Sequence, residues 1–362
     1  MLIGATLGRY IAARFLRMIA GVFLTVFALV YTLDFVELMR RAGEAPGASA
    51  LTVAHLSLLR TPAVAEQIMP FAILFGAMGA LLQLSRKLEL VVARAAGISA
   101  WQFLQPGVLV AVGIGALMVG AYNPLAASLK QRSTQVEARI FARSTKGGLS
   151  NDLWIRQRSV DGQAIVRAST AIEGTTSLAG VTIFTFDAQG AFGQQIEARR
   201  ATLHDGYWEL QDARVLTQDS GPESYDTYLV ASNLAPSQVR QRVTPPDSVP
   251  FWQLSETIAR SERAGLDAAR YRLQRAVLLA RPMLFVAMVL VAASVSLRFF
   301  RFGGIGRMAL AGVAAGFALY VARQVMEGLG ASGIVAAPVA AWFPAVVGSL
   351  LGTLALLYQE DG

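Results

Sequence analysis

The sequence predicts an α-helical membrane protein with six transmembrane helices in two sets of three and an extracytoplasmic β-domain inserted between the sets. Three observations carry that prediction. Six stretches are apolar and long enough for a hydrocarbon core of ~30 Å, which takes about 20 helical residues, or fewer where Lys or Arg at the ends snorkel to the headgroups. A polar segment with strand-like alternation separates the third stretch from the fourth. A short charged segment, residues 85–97, joins the second to the third.

Composition agrees. Of 362 residues, 54% are hydrophobic and 15% charged, the balance of a chain solvated largely by lipid. The net charge of +8 points to lipid headgroups rather than nucleic acid, because the arginines sit at the ends of apolar stretches instead of along one soluble stripe. There is no cysteine, which excludes disulfides, cysteine zinc sites and thiol chemistry.

Residues 1–130 hold the first three spans, over Met18–Leu33, Gln67–Ser85 and Ala95–Leu129. No small-residue cleavage site follows the first, and the charged run Asp34 to Arg41 comes directly after it, so it reads as a retained anchor rather than a signal peptide. Residues 131–250 are polar, with alternating segments at Leu153–Arg158, Ala164–Ala168, Val181–Phe186, Gln194–Ala201, Tyr207–Val215 and Tyr225–Ala231. Turn signals at Asp161-Gly162, Glu173-Gly174, Ala188-Gln189-Gly190, Asp205-Gly206 and Ser220-Gly221-Pro222 separate them, the spacing of a β-sandwich or jelly roll. Phe184 with Phe186 and Trp208 with Leu210 read as its core.

Residues 251–362 complete the chain. Pro245, Pro246 and Pro250 end the sheet, and an amphipathic helix over 251–264 stops at Gly265. Asp267 can cap the helix that becomes the fourth span. The last three spans are Pro282–Leu297, Met308–Ala322 and Gly328–Gln359. The first, fourth and fifth are short, and Arg17, Arg281, Arg298, Arg307 and Arg323 at their ends are placed to reach headgroups.

Basic residues in the short loops set the orientation. Arg9, Arg14 and Arg17 precede the first span, Arg86, Lys87 and Arg94 lie between the second and third, and Arg298, Arg301 and Arg307 lie between the fourth and fifth. Both termini are therefore expected in the cytoplasm and the β-domain outside. Arg40 and Arg41 oppose this, but Asp34, Glu37 and Glu44 accompany them.

The charged segment reads as a short helix ended by Gly97. On a 3.6-residue period Leu88, Val91, Val92 and Ala95 share one face, and Arg86, Glu89, Leu90, Ala93 and Arg94 the other. Two readings fit: an interfacial helix on the inner leaflet, or a helix that packs its apolar face under the spans and presents Arg86, Glu89, Leu90 and Arg94 to a cytoplasmic partner. Near the outer ends of the spans, Asp34, Glu37 and Arg41 share a face, and Arg323 and Glu327 stand one turn apart, a spacing that suits ion pairs at a wet interface. Gly76 with Gly79, Gly312 with Gly316 and Gly348 with Gly352 permit close helix packing, chiefly within the chain.

No catalytic set competes with these features. Histidine occurs only at 55 and 204, too few for a histidine metal centre. Gly-x-Ser-x-Gly, Ser-x-x-Lys, His-Glu-x-x-His and phosphate-loop patterns are missing. An intramembrane enzyme is disfavoured, and any ATP that drives the protein is hydrolysed on another chain.

Six segments together resemble a known family: Arg9-Tyr10-Ile11, Asp34-Phe35-Val36-Glu37 through Arg41-Ala42-Gly43, Glu89-Leu90-Val91-Val92 through Ala95-Ala96-Gly97-Ile98, Asp152-Leu153-Trp154, Gly265-Leu266-Asp267-Ala268-Ala269-Arg270-Tyr271, and Trp342-Phe343-Pro344. In order and spacing they are similar to the LptF/LptG family, permeases of the lipopolysaccharide export ABC transporter, and closer to its LptG branch. The resemblance spans nearly the whole chain and implies a periplasmic β-jelly roll on a bacterial inner-membrane protein. It implies partners too: an LptF-like permease, two LptB-like ATPase subunits that bind ATP, an LptC-like periplasmic protein, and lipopolysaccharide as cargo. It makes residues 85–97 a coupling helix, with Arg86, Glu89, Leu90 and Arg94 meeting the ATPase. It makes Asp34, Glu37, Arg40, Arg41, Arg323 and Glu327 groups at a lateral gate between the first and fifth spans. Some relatives have a basic residue where this chain has Asp34, so the phosphate contact implied there passes to Arg40 or Arg41. The alternatives are the LptF-like paralogue of the same complex, and a scaffold that docks periplasmic partners without moving lipid.

The orientation is directly testable. A reactive tag at Asp161-Gly162 is expected to label from outside intact cells, and one at Gly303-Gly304 only after the membrane is opened; reversed labelling would overturn the topology.

Overall fold

A computed structural model describes residues 4–43, 49–141, 153–159, 162–171, 177–187, 191–217, 221–234, 245–263, 267–302 and 305–360. Glu44, Asp152, Asp161, Gly265, Leu266 and the turns at Glu173-Gly174, Ala188-Gln189-Gly190 and Gly303-Gly304 lie outside the described residues, as does Ser220.

Among the described residues, six helices are long and apolar enough to cross a membrane, three on each side of a six-stranded antiparallel sheet. They are longer than the apolar stretches, because a helix runs on through the headgroup layers wherever its polar ends are hydrated. Helix α1 is Ala5–Ala42 and α2 is Ala50–Arg86. After the short α3, Glu89–Ala95, the third span runs as α4, Ala100–Leu117, a π turn at Met118–Tyr122, and α5, Asn123–Phe141. After the sheet, a 3-10 turn at Pro246–Ser248 leads into the amphipathic α6, Phe251–Arg263, which buries Leu254 and Ile258 one turn apart. The last three spans are α7 (Ala269–Phe302), α8 (Ile305–Ala331) and α9 (Ala337–Glu360).

Inside lipid there is no hydrophobic drive between helices, so close approach and dispersion must hold them together. All six glycines of the spaced pairs serve this purpose within the chain. A Cβ on Gly76 would lie 2.5 Å from the Ile19 Cα of α1, and one on Gly352 would lie 2.8 Å from Leu290 of α7. Gly79 faces Met18, Gly312 faces Met78, Gly316 faces Leu74, and Gly348 faces Leu319 and Ala287. Helices α2, α4 and α7 carry most of the resulting core. Helices α1 and α8 are the least covered by the rest of the chain: only 6% and 17% of their most apolar windows are buried, against 61% in α2 and 67% in α7.

All six expected strands form, as β1 (Leu153–Ser159), β2 (Gly162–Ala171), β3 (Ser177–Phe186), β4 (Phe192–His204), β5 (Tyr207–Thr217) and β6 (Glu223–Ala231). They pair in chain order, an antiparallel meander. The buried positions change parity part-way along, from Ile196 and Ala198 to Ala201 and Leu203 in β4, and from Trp208 and Leu210 to Ala213 and Val215 in β5. At the change stand Gly180 and Asp212, both in the left-handed region (φ 61° and 55°), with Arg199 between them paired to Asp212 at 3.2 Å. The register stays one to one across this point, Ala198 opposite Ala213 and Arg200 opposite Gln211, so the two strands turn over together and keep the same face inward.

That turn lets the sheet curl until its two edges meet. Gln157 of β1 accepts from the Trp208 indole Nε1–H (3.1 Å) and the Ser232 hydroxyl (2.7 Å), and donates to the Ala231 carbonyl at the end of β6 (3.3 Å). Trp208 and Leu210 are fully buried, as expected for core. Phe184 and Phe186 are not core: they lie on the opposite parity from buried Ile183 and are only partly covered, Phe186 meeting Phe192 edge-on at 6.1 Å. Alternation alone could not say which parity faces inward.

Gln157→Leu would strand the Trp208 and Ser232 donors in a dry core, at about 1–3 kcal/mol each. The substitution is expected to lower the melting temperature and raise protease sensitivity of the β-domain in the intact protein, while the helical signal of the spans persists.

Candidate functional site

Two polar regions stand at opposite ends of the bundle. From Arg14 to Asp34 along α1, and from Glu66 to Arg86 along α2, the chain climbs ~30 Å at about 1.5 Å per residue, one hydrocarbon thickness.

The first region surrounds α3. Leu88 precedes the helix in the left-handed conformation (φ 60°), Gly97 follows it at φ 81°, and a Ser99/Gln102 capping box starts α4. A leucine there is strained by about 1–3 kcal/mol. The faces of α3 are the reverse of those expected. Leu90 and Ala93 point into the bundle core, each 8% exposed, while Leu88, Val91 and Val92 are 57% to 66% exposed. Both faces carry apolar residues, so the period could not choose between them. The left-handed Leu88 breaks the phase from α2 and turns Leu90 inward. Arg86 and Arg94 are exposed beside the apolar patch. Glu89 turns toward α1: its Oε1 accepts from Tyr10 Oη at 3.0 Å and lies 3.4 Å from Arg14 Nη2.

The second region is a belt of charge on the β-domain side. Glu37 accepts from Arg40 (2.8 and 3.0 Å) and from Arg41 (2.9 Å), the local ion pairs that the spacing predicted. Both arginines remain more than half exposed. Asp34 pairs with Arg60 of α2 at 3.7 Å, and Arg60 also reaches Glu137 of α5 at 3.6 Å. Arg323 and Glu327 pair on α8 at 2.6 Å. Arg60 lies too far from Asp34 and Glu137 in sequence for local spacing to have found it.

At the same level, and missed by the sequence reading, lies a buried pair. Arg281 donates not to headgroups but to Glu66 Oε1, and both side chains are under 10% exposed. The reading of Arg281 as a snorkelling residue is therefore corrected: α2 packs against this face of α7 and offers a carboxylate closer than the lipid surface. Asn123 Nδ2 donates to the same Glu66 oxygen at 2.8 Å. Its Oδ1 accepts the Phe251 N–H at the start of α6, at 3.0 Å. The π turn makes this possible. It adds a step of rotation before Asn123, directs Tyr122 Oη to the Pro62 carbonyl (3.0 Å), and leaves the Gly120 carbonyl to accept from Trp252 Nε1 (3.0 Å).

The arrangement has an exposed apolar knob at one end, a charged belt at the other, and two under-buried helices between them. The profile of the family described as lipopolysaccharide export system permease LptF/LptG matches residues 9–359. The chain belongs to this family. It is also similar to the lipopolysaccharide export system permease protein LptG of Haemophilus influenzae, with 25% identity over 364 residues, 96% of this chain and 95% of that one. As an LptF/LptG permease, the protein is a multi-pass membrane subunit whose β-domain is inserted between its two sets of spans.

Breaking a buried pair by removing one partner costs about 3–5 kcal/mol, whereas replacing both partners by apolar residues is close to neutral. Arg281→Met is therefore expected to lower the melting temperature in detergent strongly. Glu66→Leu combined with Arg281→Met should recover most of that loss; a double variant as unstable as the single would show that the pair is not the cause.

Proposed function

We propose that this LptF/LptG permease is one of two transmembrane subunits of an ABC transporter that extracts lipopolysaccharide from the bacterial inner membrane and passes it to a periplasmic bridge toward the outer membrane. The observation that carries this reading is the exposure of α1 and α8 along their apolar windows while both carry charge on the β-domain side. A helix so little covered by its own chain needs lipid or a partner against it, and a polar belt at its end suits a lipid with phosphates beside its acyl chains. Termini and α3 are cytoplasmic in this reading, and the β-domain is periplasmic.

The partner across the cavity is an LptF-like permease, with this chain in the LptG role. Two LptB-like ATPase subunits bind and hydrolyse ATP. One of them receives the exposed knob of Leu88, Val91 and Val92, flanked by Arg86 and Arg94, while Glu89 and Leu90 anchor the helix to the bundle. Three large apolar side chains left exposed together, Leu88, Val91 and Val92, support a docking role, because burying them against a partner is favourable. At the other end Arg40, Arg41, Arg323 and the Asp34–Arg60 pair line the way past the gate. The lipid then passes toward β-domains of this chain, its partner and an LptC-like protein, for which the edge strand β6, with Tyr225 and Leu229 exposed, offers unpaired backbone.

Guanidinium groups donate charge-assisted hydrogen bonds to phosphate, each worth about 1.5–3 kcal/mol where water is partly excluded. In the assembled complex, Arg40→Glu with Arg41→Glu is expected to reduce lipopolysaccharide crosslinking and lipid-stimulated ATP hydrolysis by at least tenfold, with basal hydrolysis kept. Val92→Asp is expected to reduce capture of the ATPase. Normal crosslinking and stimulation in the first, with normal capture in the second, would favour a scaffold that moves no lipid.

A further inference from the structure

We infer that Arg14, Tyr10 and Glu89 form a strut that couples displacement of α3 directly to α1, in addition to the packing of α3 on α2. The inference rests on the reading of α3 as the contact for the ATPase, and adds to it the route by which that contact reaches the first span.

Two groups on α1 converge on one carboxylate of α3. Tyr10 Oη donates to Glu89 Oε1 at 3.0 Å, and Arg14 Nη2 approaches the same oxygen at 3.4 Å. Arg14 also donates to Tyr10 Oη, and its guanidinium carbon lies 5.1 Å from the centre of the Tyr10 ring, so the two α1 side chains brace each other. Arg14 is 11% exposed and Glu89 30%, so the ion pair is partly shielded from water, while Tyr10 stands on its exposed side. A pair so placed holds its geometry better than a hydrated surface pair, whose side chains wander.

The rest of α1 explains why such a contact would matter. Near the strut, Ile11, Phe15 and Ile19 are buried, and Phe15 and Ile19 pass Gly107 and Gly76 so closely that a Cβ on either glycine would clash. At the far end Leu38 and Ala42 pack on Val53 and Leu56. Between these anchors the apolar window is 6% buried, and the helix runs unbroken from Ala5 to Ala42 with no proline. A continuous helix held at its ends transmits motion from one end to the other. By contrast α2, the other neighbour of α3, contains Pro62 and Pro70. Glu89 is the one acidic residue of α3, and it faces α1 while Leu88, Val91 and Val92 face away.

The test uses the full complex of both permeases and the ATPase in vesicles that contain lipopolysaccharide. Arg14→Glu and Glu89→Arg are each expected to leave capture of the ATPase and basal hydrolysis within about twofold of the parent, and to cut lipid released per ATP hydrolysed at least fivefold. The swapped double variant, Arg14→Glu with Glu89→Arg, should restore most of that release, which a merely structural loss at either site would not. Because the chain has no cysteine, Arg14→Cys with Glu89→Cys gives a second measurement that does not depend on charge. Joined by a short bifunctional thiol reagent it should release lipid, and unjoined it should not. Singles with normal release, or a double variant no better than the singles and unrescued by the covalent link, would overturn the strut. Loss of ATPase capture in Glu89→Arg but not in Arg14→Glu would also overturn it, by assigning Glu89 to the ATPase itself. Normal capture by Val92→Asp bears instead on the docking reading, and so separates failure of that reading from failure of the strut.

Discussion

An ion in lipid must be paired, and the Glu66–Arg281 pair is the contact on which the meeting of the two sets of spans depends. It joins α2 to α7 across the two halves of the chain, and Asn123 ties it to α5 and, through the Phe251 N–H, to α6. A single unpaired charge there would cost several kcal/mol, so the four elements cannot slide past one another without a penalty. Lys130 with Asp247 (2.5 Å) and Gln131 with the Ser248 carbonyl (2.8 Å) continue the fastening toward the sheet. The second half of the membrane domain and the connection to the β-domain are thereby set from one buried site.

With that frame fixed, glycine contacts decide which helices are central. Gly312 and Gly316 of α8 lie on Met78 and Leu74 of α2, and Gly352 of α9 lies on Leu290 of α7. Helices α2 and α7 are covered from several sides, and α1 and α8 are left at the periphery with their charges on the β-domain side. Such helices keep much of their apolar surface for lipid or a partner chain.

The β-domain follows a different rule, because it folds in water. A six-strand meander has two edges, and paired edges are safer than open ones. Here Gln157 joins β1 to the end of β6 through side-chain bonds, while the parity change at Gly180, Arg199 and Asp212 supplies the bend that brings them together. Closure by a side chain rather than by a backbone ladder leaves the outer strand β6 with backbone groups facing outward.

The six spans, the inserted sheet and all six strands are legible in the order of residues, because each rests on local properties: the cost of polar residues in hydrocarbon, the period of two along a strand, and turns at glycine and proline. Glu37, Arg40 and Arg41, and Arg323 with Glu327, are legible in the same way, since ion pairs one turn apart are local too. Long-range packing settled the rest. Glu66 and Arg281 stand 215 residues apart, and each alone reads as a charge at the edge of an apolar stretch. The faces of α3 were ambiguous because Leu88, Val91 and Val92 are as apolar as Leu90 and Ala93, and only packing against the bundle core chose between them. Tyr10 and Arg14 were legible as basic and aromatic residues before a span, but not as partners of Glu89. Helical period specifies which residues share a face; what that face meets depends on residues far away in the chain, and pairing of charges over such distances leaves no periodic trace.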